Sequence, residues 1–160
     1  MQITVRSAAD ADLSTIIGLY ERAEAEQTAK KPIWALTDGL DESFEDSLKA
    51  ALAADESWIS IGCIDGTPVG FIWATIEPML RRAGGERTGR IRLVYTDPDA
   101  RGVGVGHAML ESMMGVLRSR GIRHFDAPVG PGQRLTKNFF EGHEFAARSI
   151  IMYHADEDDA

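Results

Sequence analysis

From Arg101 to Gly106 the chain reads Arg-Gly-Val-Gly-Val-Gly, directly after Asp97-Pro98-Asp99-Ala100. Glycine lets a backbone approach a ligand closely and take φ values barred to other residues. If a helix opens at this turn, its first N–H groups lack intrahelical partners and can point at an anion, helped by the helix dipole. The segment is therefore suited to holding a phosphate or pyrophosphate. Two common phosphate patterns do not fit. A G-x-G-x-x-G fingerprint would need glycine at His107 or at Met109, and no Gly-Lys-Ser/Thr follows for a Walker loop.

The other reactive residue types narrow the chemistry. His107, His124, His143 and His154 are scattered, and the single cysteine, Cys63, cannot complete a zinc site, so no metal is expected. One cysteine also excludes an intrachain disulfide; its apolar setting reads as a buried thiol, and a reducing, cytoplasmic compartment is the expectation. The N-terminal run reads as a short alternating strand, so no signal peptide is expected, and no apolar stretch approaches the roughly 20 residues of a membrane helix. The chain has 160 residues, 26% of them charged, and a net charge of −8, which argues against nucleic-acid or anionic-membrane partners. That charge is uneven: residues 1–80 carry −9, residues 81–137 carry +6 and residues 138–160 carry −5. The glycine-rich turn lies in the basic middle.

These residues need a scaffold. Residues 2–7 alternate as a strand. Asp10 or Asp12 can cap a helix whose face repeats Leu13, Ile16, Ile17 and Tyr20. A loop over 28–40 precedes a second helix, about 43–54. Strands over 57–64 and 68–76 flank Asp65-Gly66, a tight-turn signal, and form a hairpin. After a polar loop at 79–90, a strand over 90–96 puts Ile91, Leu93 and Tyr95 on one face, and Pro98 ends it. The glycines open a helix to about Arg120, which Gly121 stops. A strand over 122–128, a helix over 131–142 and a last strand over 145–154 follow. The order β-α-α-β-β-β-α-β-α-β predicts one α+β domain over residues 1–155, with helices on both faces of a mostly antiparallel sheet. Residues 156–160 form an acidic tail.

Arg101-x-x-Gly104-x-Gly106, after a strand ending in Asp97-Pro98, resembles the acetyl-CoA motif Q/R-x-x-G-x-G/A of the GNAT N-acetyltransferases. The element order matches that fold over residues 2–154. The resemblance implies a six- to seven-stranded sheet flanked by about four helices, with the final segment split after about Ala147. It also implies acetyl-CoA as co-substrate, with amides of Arg101, Gly102, Val103, Gly104, Val105, Gly106 and His107 cradling the pyrophosphate. Val94, Tyr95 and Thr96, on a bulged strand, would hold the pantetheine arm, and the acetyl group would sit where that strand splays from its neighbour. Arg134 and Lys137 could assist from the next helix. CoA carries about four negative charges, and each cation or dipole contact at a helix start contributes roughly 0.3–1 kcal/mol.

The implied activity is acetyl transfer to a primary amine of a small molecule or peptide. A backbone N–H at Val94–Thr96 would stabilise the developing oxyanion. The usual acid and base are missing. In Gln133 to Phe145, Phe140 falls where the family often has a tyrosine acid, with Gln133 in place of its asparagine. Arg92 stands where a glutamate base is common. Solvent can carry the protons, and Tyr95 and Glu77 are the leading substitutes. Loss of a proton-transfer group typically costs 10²–10⁴-fold. A noncatalytic acyl-CoA-binding module is the alternative. The acceptor site would be shaped by the loop at 26–40, containing Trp34, and by the Arg-rich loop at 77–90. Arg92 suits an acceptor carboxylate or phosphate. The last strands offer a route to a homodimer.

Overall fold

The computed structural model describes residues 1–30, 43–79, 85–130 and 132–157, with the Lys30 side chain excepted. The elements, in chain order, are β1 (Ile3–Ser7), α1 (Leu13–Lys30), α2 (Phe44–Ala53), β2 (Ser57–Ile64), β3 (Thr67–Pro78), β4 (Arg87–Thr96), α3 (Val105–Ser119), β5 (His124–Asp126) and α4 (Arg134–Glu141). Short 3-10 turns at Asp10–Asp12 and Pro98–Ala100 lead towards α1 and α3. The sheet runs β1-β2-β3-β4-β5. Its first four strands are antiparallel, and β5 joins β4 in parallel.

The two faces carry separate cores. Ile16, Leu19, Phe44 and Leu48 of α1 and α2 pack on Ile59, Ile61, Phe71 and Trp73. Met109, Leu110, Met113 and Leu117 of α3 pack with Ile72, Ala74 and Ile91 on the other face, joined by Phe140 of α4. Cys63 is buried, as its setting implied. Two sheet glycines let α3 lie close. A Cβ on Gly62 would come within 2.7 Å of Val105 Cγ1, and one on Gly70 within 3.1 Å of Met109 Cε. The first turn of α3 is thereby held against the middle of the sheet, where the glycine-rich turn must end.

Three expectations change. Ile91 does not share a face with Leu93 and Tyr95. The β3–β4 register passes from Trp73↔Leu93 to Ala74↔Ile91, leaving Arg92 as an extra residue. Such a bulge reverses the alternation. Leu93 and Tyr95 therefore face α1 and α2, while Ile91 faces α3. The strand expected over 122–128 shrinks to His124–Asp126. The last strand, expected over 145–154, is absent among the described residues, so the sheet has five strands rather than six or seven. A three-residue β5 offers too short an edge to recruit it. Arg148 pairs with Asp126 at 2.6 Å, and beyond it Ile150, Ile151, Met152 and Tyr153 are 61–88% exposed. No helix among the described residues is long and apolar enough to cross a membrane.

Candidate functional site

The site begins where β4 ends. Asp97 accepts a hydrogen bond from the Asp99 amide at 3.0 Å and, with Pro98 following, closes a 3-10 turn. Gly102 (φ +83°) and Gly104 (φ +101°) are both left-handed. Gly104 is the N-cap of α3 and brings no side-chain acceptor. The first α3 bond runs from the Ala108 amide to the Gly104 carbonyl at 3.0 Å. The amides of Val105, Gly106 and His107 therefore have no intrahelical carbonyl to meet, the arrangement that favours an anion.

A cavity of about 460 Å³ opens beside this turn. Its other wall comes from β4. Only Thr88, Gly89 and Arg90 pair with β5, so residues 91–96 lack a strand partner on that side among the described residues. Their free edge and the α3 amides thus border one space. α4 closes it: a Cβ on Gly106 would lie 3.2 Å from Phe139 Cε2. An extended ligand carrying phosphate at one end and amide groups along its arm, as CoA does, fits this combination of groups.

Val94, Tyr95, Thr96, Arg101, Gly102, Gly104, Val105, Gly106, His107 and Gln133 all line the cavity. Val103 is exposed and Lys137 lies on the outer face of α4, 3.5 Å from Glu141; neither is among the lining residues. Phe140 is also outside it, buried in the α3-side core with Phe145 at 5.0 Å. Phe139 supplies the aromatic wall instead, with Thr136 and His143. Thr136 and Phe139 stand three apart on one face of α4, a periodicity that could have revealed them, and His143 follows just beyond its C-cap.

The Arg101 side chain is already engaged. Its guanidinium forms two 2.8 Å bonds to Glu26, and its Nε donates to the Thr96 carbonyl at 2.9 Å. With Arg22 bonded to Asp97, it ties α1 to the turn. Tyr95 is 8% exposed, with Arg101 5.4 Å from its ring centroid. Burial, reinforced by Glu26, raises its pKa above the usual 10, so it is a protonated phenol at neutral pH.

Glu77 stands elsewhere. Tyr95 faces Phe71 across the sheet, and Glu77 lies six residues further along β3, roughly 20 Å at strand rise. The two candidate acid/base residues cannot touch one reacting atom. Glu77 Oε1 meets Arg92 at 2.9 Å and Thr75 at 3.2 Å, and its Oε2 is paired with Arg90. Arg92 also lies over the Trp73 ring, 5.0 Å from its centroid. Trp34 and Arg81 and Arg82 of the acceptor loops lie outside the described residues.

Arg90 continues the cluster to Asp126 at 3.0 Å, and Arg148 closes it. Burial alone would raise the Asp126 carboxyl, but hydrogen bonds from Arg90 and Arg148 outweigh it and hold the pKa below 3.8. A depressed carboxylate pKa stabilises the fold above the unfolded value, and the contribution is lost as pH falls through the folded one. Asp126→Asn is expected to lower the melting temperature at pH 7 by a few degrees and much less at pH 2.5. Equal losses at both pH values would refute the assignment.

The scattered histidines are not all apart. His107 Nδ1 lies 2.8 Å from His143 Nε2.

The comparisons match this geometry. The profile of the Acetyltransferase (GNAT) family matches residues 18–145. A mycothiol acetyltransferase of Cellulomonas flavigena is 31% identical over 93 residues, covering 56% of this chain and 27% of that protein. One from Amycolatopsis mediterranei is 42% identical over 59 residues, covering 36% of this chain and 20% of that protein. The chain thus spans about a quarter or less of these curated relatives. Among solved structures, AAC(6')-Iy with a CoA-based bisubstrate analogue superposes with a TM-score of 0.74 at 15% identity, covering 98% and 99% of the two chains. The F44R mutant of the Bacillus halodurans protein BH1408 reaches 0.83 at 14% identity, covering 96% and 99%. At such identities the structures speak for the fold alone. With the glycine turn, the bulged and splayed β4 and a profile spanning most of the sequence in agreement, the chain belongs to the GNAT acetyltransferase family.

Proposed function

We propose that this chain transfers an acetyl group from acetyl-CoA to a primary amine of a small molecule or peptide, by direct attack in a ternary complex. The observation that carries the reading is the left-handed Gly102–Gly104 turn facing the same cavity as the unpaired edge of β4. Amides of Gly102 to His107 bind the pyrophosphate, that of Arg101 being hydrogen-bonded to the Pro98 carbonyl at 3.4 Å instead, and Val94 to Thr96 hold the pantetheine arm. Acetyl-CoA supplies the activated thioester. The amine nitrogen forms a bond to the carbonyl carbon, the C–S bond breaks, the ammonium loses a proton and the thiolate gains one. Holding both reactants in line supplies much of the rate.

Tyr95 is the proposed donor to the leaving sulfur, because its hydroxyl carries a proton at neutral pH and its ring lines the cavity. Glu77 would act as base only by releasing Arg92. Gln133, at the cavity wall, enters as a secondary CoA contact, as Lys137 and Phe140 would if α4 shifted. Thiol release from acetyl-CoA with an amine panel tests the reading, and acetylated product must appear in equal amount. Arg92 supports an acceptor bearing a carboxylate or phosphate, with Trp34 proposed as a further acceptor contact. Amino acids and phosphorylated amines are then turned over faster than polyamines, and the reverse order overturns that choice.

A noncatalytic acyl-CoA-binding module is the second reading, favoured by Phe140 and Arg92 at the usual acid and base positions. CoA-dependent thermal stabilisation with no turnover on any amine would select it. The unpaired, buried Cys63 supports a cytoplasmic setting. The exposed run Ile150–Tyr153 and the open outer edge of β5 support a two-fold homodimer through the C-terminal segments. Sedimentation should give a dimer that Ile151→Glu converts to monomer; a monomeric parent protein contradicts this.

A further inference from the structure

His107, Glu111 and His143 each offer one ligand atom, and the three atoms lie within 4.8 Å of one another. His107 and Glu111 stand four residues apart on α3, so they share a face. His143 arrives from the end of α4, beyond its C-cap at Gly142. A pair at this spacing on one helix, completed from a second element, is a familiar way to build a cation site.

The geometry points to a divalent transition-metal site at the rim of the cavity, of the His₂Glu type that suits Zn²⁺, with Co²⁺ and Ni²⁺ as substitutes. This is independent of the acetyl-CoA reading. The donor set fits a borderline-soft ion taking imidazole nitrogen and carboxylate oxygen. His143 Nδ1 is 2.8 Å from the Phe139 carbonyl, which can only accept. In the neutral ring the proton is thereby fixed on Nδ1, and the Nε2 lone pair is aimed at His107. Metal-bound histidines are oriented by outer contacts of this kind. The Phe139 ring, 4.7 Å from the His143 ring, holds it from the side.

His107 needs only a tautomer change. Facing a bare Nε2, its Nδ1 carries the proton in the empty pair; with a metal bound, the proton moves to Nε2 through water, and no net proton is lost. Two nitrogens on one tetrahedral zinc lie about 3.3 Å apart. The observed 2.8 Å therefore has to widen by about half an ångström, within reach of side chains at the surface. Glu111 is exposed and has no ion-pair partner among the described residues, so it has no competing salt bridge to break. Three protein ligands leave a fourth position for water or an anion.

Equilibrium dialysis of the full chain against Zn²⁺, with visible spectroscopy of the Co²⁺ form, tests the site. One saturable ion per chain is expected, with a tetrahedral cobalt spectrum lacking thiolate charge-transfer bands. His143→Asn and Glu111→Gln are each expected to weaken binding by at least about 10-fold, the lower end of what even an outer-shell partner commands. His154→Asn, at an exposed histidine outside the triad, should leave it unchanged. No saturable binding, full affinity in the triad variants, or loss with His154→Asn would each overturn the site. If a triad variant fails to fold, the wild-type cobalt spectrum decides: sulfur coordination would move the ion to Cys63 and refute the proposal.

Discussion

Gly104→Val is expected to weaken acetyl-CoA binding by about 100-fold or more, and to abolish thermal stabilisation by the ligand at concentrations that saturate the parent protein. Gly104 has φ +101° and is the N-cap of α3. A β-branched residue there costs roughly 1–3 kcal/mol in backbone strain alone. The chain can relieve that strain by rotating the turn, which takes the amides of Val105 to His107 out of register with the phosphates. Relief has room: the nearest atom to a Cβ at Gly104 is Ile3 Cδ1, at 3.8 Å. The fold should therefore survive while the cradle does not. Calorimetric titration with CoA checks the affinity, and circular dichroism checks the fold. Unchanged affinity in a folded variant would remove the pyrophosphate from this turn.

Tyr95→Phe is expected to lower kcat by about 100-fold, the lower end of what a proton-transfer group contributes, with little change in KM for acetyl-CoA. The substitution keeps the ring that packs beneath α1 and removes only the hydroxyl. The phenol is held above its ordinary pKa, chiefly by burial. Its donor capacity should therefore persist across the neutral range, and no loss of activity from Tyr95 ionisation should appear below pH 10. Full turnover in the variant would assign the leaving thiolate's proton to solvent. The roughly 20 Å between Tyr95 and Glu77 makes that alternative concrete, because the base must then act through water or be water itself.

The glycine turn was legible because its chemistry is local. Left-handed Gly102 and Gly104 require a residue type, and the type is visible in the chain. The α1 face was legible for the same reason, through helical periodicity. The failures each have a tertiary cause. At Arg92 the bulge inserts a residue into β4 and inverts the alternation, so Ile91 parts from Leu93 and Tyr95. Nothing in the alternation of Ile91, Leu93 and Tyr95 announces it. The run at 150–153 has strand-forming residues, but propensity does not supply an edge, and β5 is three residues long. Phe139 and Phe140 are neighbours about 100° apart on a helix. Which of them faces the cavity depends on how α4 docks, and the docking favours Phe139. His107 and His143 are 36 residues apart in sequence and meet only because α4 lies across the start of α3.

In the proposed function, amides on two separated segments, 94–96 and 102–107, hold one acetyl-CoA. Titration of the isotopically labelled protein with acetyl-CoA, followed by backbone amide NMR, tests it most directly. The largest shift changes are expected at Thr96 and at Gly102 to His107, with smaller ones at Val94 and Tyr95 and little change in α2. Saturation with the largest changes elsewhere, or no change at millimolar acetyl-CoA, would contradict the account.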